Sequence, residues 1–287
     1  MGADNEEPPL PDVIAGRYKV LGFIGRGGMG HVLDVQDNQT WRRAVAKMLL
    51  PQFANDEVYA QRFEREARVM MGIEHPNIVQ VFDFGRGDDG QMYIVMEKLQ
   101  GLELWDLMKR GRLAPKVVRA YGLDVLRALD TAHKAGVVHR DIKPANIFIE
   151  DRPGRRPVAR VIDFGIASVA SEETVMGGGG AVGTPNYMPP EQILGYPLDG
   201  RADIYSLSVV LYRALSQRLP HKGRGRDIIK ARIKKDPIPL SVAIDTPLPE
   251  GLEDVIMKGL TKSAEDRWKD AREMRDALAW VKTRKRR

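Results

Sequence analysis

The residues best suited to chemistry in this 287-residue chain sit in one short run, His139-Arg140-Asp141-Ile142-Lys143-Pro144-Ala145-Asn146. It packs a carboxylate, a cation and an amide into a loop just after an apolar helical stretch. Asp141 could accept a hydroxyl proton, Lys143 could balance developing phosphate charge, and Asn146 could ligate a metal. Seventeen residues after Asn146 comes Asp163, in Asp163-Phe164-Gly165, following the apolar pair Val161-Ile162. Asp163 therefore closes a buried strand, where a metal-binding carboxylate would stand. A polar turn and a strand-end aspartate explain each part alone but not the coincidence of so many.

Two further features lie upstream. Gly25-Arg26-Gly27-Gly28-Met29-Gly30-His31-Val32 fits a loop that covers phosphates, since glycines let backbone N–H groups approach phosphate oxygens without an intervening Cβ. A plain tight hairpin turn explains it equally well. A strand rather than a helix follows Gly30, which argues against a dinucleotide-binding fold. Lys47 lies in the apolar strand Ala44-Val45-Ala46-Lys47, and burying an unpaired ammonium is costly, so Glu66 is its candidate counter-ion. Taken singly, the two also read as a solvated edge lysine and a surface glutamate.

The elements that must position these groups follow from periodicity. Short strands are expected at Tyr18 to Ile24, Val32 to Val35, Ala44 to Leu49, Ile78 to Phe84 and Met92 to Glu97. One helix interrupts them at about Asp56 to Met71, with Phe63, Ala67, Met70 and Met71 on its apolar face. After Gly101 the period turns helical. Pro115 suits a first helical turn and Gly136 a helix end, with Val118, Tyr121, Val125, Leu129 and Ala132 forming the face between. Later helices are expected at Arg201 to Gln217 and Ala271 to Val281.

Composition excludes several classes of function. With no cysteine, disulfides, thiolate nucleophiles and Cys-ligated metal centres are ruled out for these residues. The net charge of +6 raises the question of nucleic acid. Much of it sits in the run Lys282, Arg284, Lys285, Arg286, Arg287, which holds no aromatic side chain to stack on bases, so no nucleic-acid partner is expected. No apolar run reaches the roughly 18 residues of a membrane helix. The start of the chain is acidic and proline-rich and lacks the features of a signal peptide. The expected location is the cytoplasm, with a membrane involved only if a parent chain continues past the terminal basic run.

Over about Tyr18 to Trp280 the chain resembles a eukaryotic-type protein kinase, specifically the catalytic domain of a bacterial Ser/Thr protein kinase. The resemblance implies an α+β, bilobal protein-kinase fold: a small antiparallel-sheet lobe with one main helix at 17–99 and a larger helical lobe at 100–281. Residues 1–16 and 282–287 would be tails. It also implies ATP and Mg²⁺ (or Mn²⁺) as cofactors, and protein Ser/Thr hydroxyls, including the chain's own, as acceptors. Gly25, Gly27 and Gly30 would cover the phosphates, with Ile24, Val32 and Val45 nearby. Lys47 would hold the α/β-phosphates and pair with Glu66. Met96 matches the gatekeeper position, and the backbone of Glu97 and Leu99 would grip the adenine edge, with Phe148 on its other face. Asp141 would orient the substrate hydroxyl and accept its proton, Lys143 would contact the transferred group, and Asn146 and Asp163 would bind the metal. Gly183-Thr184-Pro185 followed by Pro189-Pro190-Glu191 resembles the end of an activation segment. Glu191 would be tied to Arg267, and Asp203 would anchor the catalytic loop. Lys143 together with Thr184 fits the Ser/Thr-directed pattern. A homodimer through the smaller lobe is a habit of the family. All catalytic groups are present, which disfavours a silent scaffold, and Arg140 with the Pro-Glu pair disfavours a small-molecule kinase.

The sequence departs from the family in four places. Val45 stands where alanine is usual and Phe148 where leucine or methionine is usual, so a thin adenine slot is expected. Arg140 would receive an activating phosphate, yet Val175 to Gly183 contains no Ser or Thr, leaving Thr174 as the candidate acceptor. Pro189 replaces the usual alanine. The segment Lys222 to Lys235 carries seven basic residues and reads as a solvated helix face, with acidic partners as the alternative.

Overall fold

The computed structural model describes residues 10–27, 30–50, 57–87, 90–164, 186–223 and 226–282. Thr174, Thr184 and both ends of the chain lie outside the described residues. The packing divides into two units. The first comprises the described residues up to Glu74 together with Val79–Leu99, and the second comprises His75–Ile78 and the residues from Gln100 onward.

The first unit is built on an antiparallel sheet of β1 (Val13–Ile14), β2 (Tyr18–Gly27), β3 (Gly30–Asp37), β4 (Arg43–Leu49), β5 (Val81–Arg86) and β6 (Met92–Glu97), in the order β1-β2-β3-β4-β6-β5. The β2–β3 ladder slips at Val20/Gly22 and again at Phe23/Gly25, bulges that increase the local twist. Glycine at position 30 is a packing requirement: a Cβ there would lie 1.8 Å from the Met48 carbonyl oxygen of β4. Val35, Ala46 and Val95, from three neighbouring strands, are fully buried at the centre of one face. Helix α1 (Glu57–Met71) buries Ala60, Phe63, Ala67 and Met70, the three-four spacing of one helical stripe. Burial of Phe63 or Met70 contributes about 2 kcal/mol each. Met71 leaves that stripe and is 38% exposed.

The second unit is mainly helical. It contains β7 (Gly101–Glu103), α2 (Leu104–Lys109), α3 (Pro115–Lys134), a 3₁₀ turn (Pro144–Asn146), β8 (Ile147–Glu150) and β9 (Val158–Val161). After these come α4 (Pro190–Ile193), α5 (Gly200–Ser216), α6 (Arg226–Lys234), α7 (Leu240–Ala243), α8 (Leu252–Gly259), a 3₁₀ turn (Ala264–Asp266) and α9 (Ala271–Trp280). Pro115 occupies the first turn of α3, where its missing N–H costs nothing. Gly136, at φ +78°, ends that helix. Helix α5 is apolar nearly all round and almost wholly buried, which makes it the core of this unit. Strands β7, β8 and β9 form a small antiparallel sheet in that order.

The expected α+β composition therefore holds, and each expected helix and strand appears within a few residues. One strand boundary is corrected. Ile78 does not begin β5; it forms an isolated parallel bridge to Val161 and belongs to the second unit. The carbonyls of this short stretch are claimed there, by Val161 N–H at Asn77 and by the Arg160 guanidinium at Ile78.

Candidate active site

In the first unit, Gly25 and Gly27 end β2, Gly30 opens β3, and the cross-strand pairs run Gly25 to Val32 and Gly27 to Gly30. Gly25 and Gly30 differ in what they require. Gly30 needs its small size for the close approach of β4, whereas a Cβ on Gly25 would meet nothing within 4 Å. Packing does not explain glycine at 25, and the open space there is what a ligand approaching the backbone would use. Lys47 is buried on β4, at 6% exposure, opposite Val32 on one side and Ile94 on the other. Glu66 is half-buried on α1. Val45 pairs directly with Met96, Glu97 ends β6, and Ile24 is exposed.

In the second unit the loop 139–146 is tightly wired. The Asp141 carboxylate accepts from Lys143 Nζ at 2.7 Å and from Asn146 Nδ2 at 3.1 Å. The same amide nitrogen donates to the Asp141 carbonyl at 2.8 Å, which fixes the Asn146 rotamer. Pro144 opens the 3₁₀ turn that brings Asn146 back toward Asp141. The Asn146 carbonyl accepts Ile162 N–H at 3.0 Å, so Asp163 is one residue from a direct link to Asn146. Phe148, half-buried, follows on β8.

Two residues of this constellation, Arg140 at φ +64° and Asp163 at φ +59°, hold left-handed backbone that non-glycine residues rarely adopt. Each costs about 1 kcal/mol or more and persists only where neighbours impose it. At Arg140 the neighbour is Asp203, fully buried on α5, whose carboxylate accepts the backbone N–H of both His139 and Arg140 at 2.8 Å. Near Asp163 the neighbour is His139. Its Nδ1 accepts Asp141 N–H at 3.2 Å and its Nε2 meets the Ile162 carbonyl at 3.0 Å, so the proton belongs on Nε2. Its ring packs on Phe164, with centroids 4.8 Å apart.

The segment 186–192 is fastened just as firmly. Arg267, with a fully buried side chain, donates to both oxygens of Glu191 at 2.6 and 2.7 Å. Gln192 Nε2 donates to the Arg140 carbonyl at 3.1 Å. Arg232 of α6, also fully buried, donates to the carbonyls of Met188 and Asn186 at 2.8 and 2.7 Å. This corrects the reading of the Lys222 to Lys235 segment as uniformly solvated. One of its cations is instead a core residue, held by peptide carbonyls, and burial pushes its pKa below the usual arginine value.

Several of these residues carried no sequence signal for the role they play. Asp124 is buried in α3, where it gathers Arg156 at 2.7 and 2.8 Å, Arg127 at 3.0 Å and Ala159 N–H at 3.2 Å. Glu103 closes β7, and burial followed by the like charge of Asp106 raises its carboxyl pKa, with a smaller contribution from Asp163. A charged residue inside an otherwise apolar helix face was the one available hint for Asp124.

Comparison with known proteins gives a consistent result. A family model for the protein kinase domain matches residues 18–278. A probable serine/threonine-protein kinase of Clostridium perfringens is 35% identical over 272 residues, spanning 94% of this chain and 39% of that protein. Serine/threonine-protein kinase PknH of Mycobacterium tuberculosis is 36% identical over 258 residues, 89% of this chain and 40% of its own length. Serine/threonine-protein kinase PknA of the same species is 35% identical, spanning 97% of this chain and 64% of that protein. The crystal structure of the M. tuberculosis PknI kinase domain superposes with a TM-score of 0.75 at 28% identity, covering 95% of this chain and 99% of that one. The chain thus spans about two-fifths of the length of the first of these curated relatives.

Proposed function

The chain belongs to the protein kinase domain family, and on that premise we propose that it is a Ser/Thr protein kinase, transferring the γ-phosphoryl group of ATP to Ser or Thr hydroxyls of protein substrates and of itself. The observation that carries the reading is the wiring of the loop: Asp141, Lys143 and Asn146 within hydrogen-bond reach of one another, on backbone fastened to Asp203. The family uses ATP and a divalent metal, and we assign Mg²⁺, with Mn²⁺ as the alternative. Among the described residues no group of three or more His, Asp or Glu could cage a metal. An amide and one carboxylate, Asn146 and Asp163, suit an ion that draws its other ligands from phosphate oxygens and water. When bound, such an ion neutralises charge on the phosphoryl oxygens.

The chain's own residues do the rest. Backbone N–H groups around Gly25, Gly27 and Gly30 approach phosphate oxygens, and Lys47, oriented by Glu66, holds the α/β-phosphates. By the family pattern, Ile24, Val32, Val45, Met96 and Phe148 are the residues assigned to the adenine, and the backbone of Glu97 and Leu99 to its edge. The bulk of Val45 and Phe148 predicts weak binding of large adenine-site inhibitors relative to ATP, which competition assays read directly. Asp141 orients the acceptor hydroxyl. As the acceptor oxygen bonds to the γ-phosphorus, its proton passes to Asp141 and the bond to the bridging oxygen breaks, releasing ADP. Lys143, beside Asp141, balances charge on the moving group. Arg140 receives the phosphate of a modified activation segment, with Thr174 as acceptor, and Thr184 with Lys143 fits the Ser/Thr-directed pattern.

Among the described residues no helix is long and apolar enough to cross a membrane. Cytoplasmic placement and homodimerisation through 17–99 belong to the same proposal. Phosphoamino-acid analysis of protein incubated with γ-labelled ATP and Mg²⁺ is the test. Label on phosphoserine or phosphothreonine is expected, and label on tyrosine alone, or none, would overturn the reading.

A further inference from the structure

At the C-terminal end of α5, the loop that follows it and α7 enclose a cavity of about 570 Å³. Among the described residues its charged lining is entirely positive, Arg213, Arg218 and Lys222, with no Asp or Glu. Among the described residues none of the three has a carboxylate partner. Arg213 instead donates to the Tyr187 hydroxyl at 2.6 Å and lies over Trp105, 4.7 Å from the ring centroid. Arg218 and Lys222 are exposed.

Two buried polar groups of lining residues, the Tyr212 hydroxyl and His221 Nδ1, have no hydrogen-bond partner among the described residues. Tyr212 is fully buried and His221 is 4% exposed. His221 Nε2 meets the Lys235 carbonyl at 3.2 Å, so Nε2 carries the proton and Nδ1 is the unprotonated nitrogen. Both atoms are sealed from solvent behind the cavity wall, so the charged side chains, not these groups, are what an entering ligand meets. Val242, 70% exposed, supplies an apolar rim.

We propose that this cavity binds an acidic stretch of the protein substrate, flanking the Ser or Thr that is phosphorylated. The word substrate rests on the function proposed above; the binding chemistry does not. An acidic peptide suits a cavity whose charged walls are all cationic. Its Asp or Glu side chains pair with Arg218 and Lys222, and its aliphatic parts cover Val242. Continuity with the acceptor-side segment is physical: Arg213 lines the cavity and bonds Tyr187, which stands between the backbone groups that Arg232 holds at Asn186 and Met188. Arg213, Arg218 and Lys222 are therefore specificity-determining residues, selecting against basic sequences as well as for acidic ones.

The test uses two fluorescent peptides with the same Thr acceptor, one flanked by Glu and one with Gln at the same positions. Their binding to the Asp141→Asn chain is followed by anisotropy at low and high salt. The Glu peptide should bind roughly tenfold more tightly, the sum of two or three partly screened ion pairs, and the gap should close at high salt. Arg218→Glu with Lys222→Glu, at exposed positions and checked for an unchanged melting temperature, should abolish that preference and favour a Lys-flanked peptide. Equal binding of the Glu and Gln peptides, or a preference that survives the charge reversal, would overturn the proposal. Binding is read without catalysis, so loss of phosphoryl transfer with this preference intact would reject only the function proposed above.

Discussion

Asp203, fully buried in α5, accepts the backbone N–H of Arg140 at 2.8 Å and holds that residue in left-handed backbone at φ +64°. One carboxylate thus sets the conformation of the residue before Asp141 from a helix more than sixty positions away in the chain. The same carboxylate also binds His139 N–H and His133 Nε2, each at 2.8 Å.

Asp203→Asn removes the charge and turns one acceptor oxygen into a donor facing N–H groups. The lost charge-assisted bonds and the unsatisfied donors should cost about 2–4 kcal/mol of stability. Turnover should fall further than unfolding explains, because Arg140 is released to ordinary backbone. Denaturant melts and kcat on the same preparation check this; a kcat equal to the parent's at a temperature where both are folded would remove Asp203 from the positioning role.

The Arg267–Glu191 pair is two-pronged and inaccessible on the arginine side. Arg267→Met should destabilise by about 3–5 kcal/mol, since it strands a mostly buried carboxylate. Glu191→Gln should cost less, because the amide oxygen still accepts one bond and Arg267 also donates to the carbonyls of Thr261, Lys262 and Arg201. A double-mutant cycle by denaturant unfolding should return a coupling above about 1 kcal/mol.

Much of this was legible in the sequence, and the illegible part has a common cause. The strand Met92–Glu97 and the start of α3 at Pro115 appear at the expected positions, because alternation and proline act locally. Asp141, Lys143 and Asn146 were likewise readable, being brought together by a single turn. Arg232 was not, since its partners are backbone carbonyls more than forty residues away and peptide groups carry no sequence label. Nor was the departure of His75–Ile78 to the second unit, where Asn77 Nδ2 reaches the Ala159 carbonyl at 2.9 Å. Gln192 and Asp124 fall in the same group.

Stability should depend on pH through His221. Burial, then the positive charge of Arg232 and of Lys262, holds its pKa down to about 4, while the Lys235 carbonyl and Asp236 act in the opposite sense. Below an unfolded pKa of about 6.5 the unfolded chain takes up a proton that the native one refuses. Stability therefore falls as pH drops from about 6.5 to about 4, by on the order of 3 kcal/mol. In His221→Leu that part of the slope should vanish, as urea unfolding at pH 7 and pH 5 would show. An unchanged difference between the two pH values would contradict it.

If Thr174 is the regulatory acceptor, tryptic mass spectrometry should find phosphate there in protein expressed active and not in the Asp141→Asn form. Thr174→Ala should lower activity toward a separate substrate. Phosphate confined to other residues would assign the Arg140 ligand elsewhere.

The proposed reaction turns on Asp141 taking the proton of an acceptor hydroxyl during transfer from ATP. Its most direct measurement is the initial rate of γ-label transfer to a generic basic protein in the presence of Mg²⁺, for the parent and for Asp141→Asn. Clear transfer by the parent is expected, with a fall of about 10²–10⁴-fold in the variant whose fold stays intact by melting. No transfer by the parent, or an undiminished rate in Asp141→Asn, would contradict it.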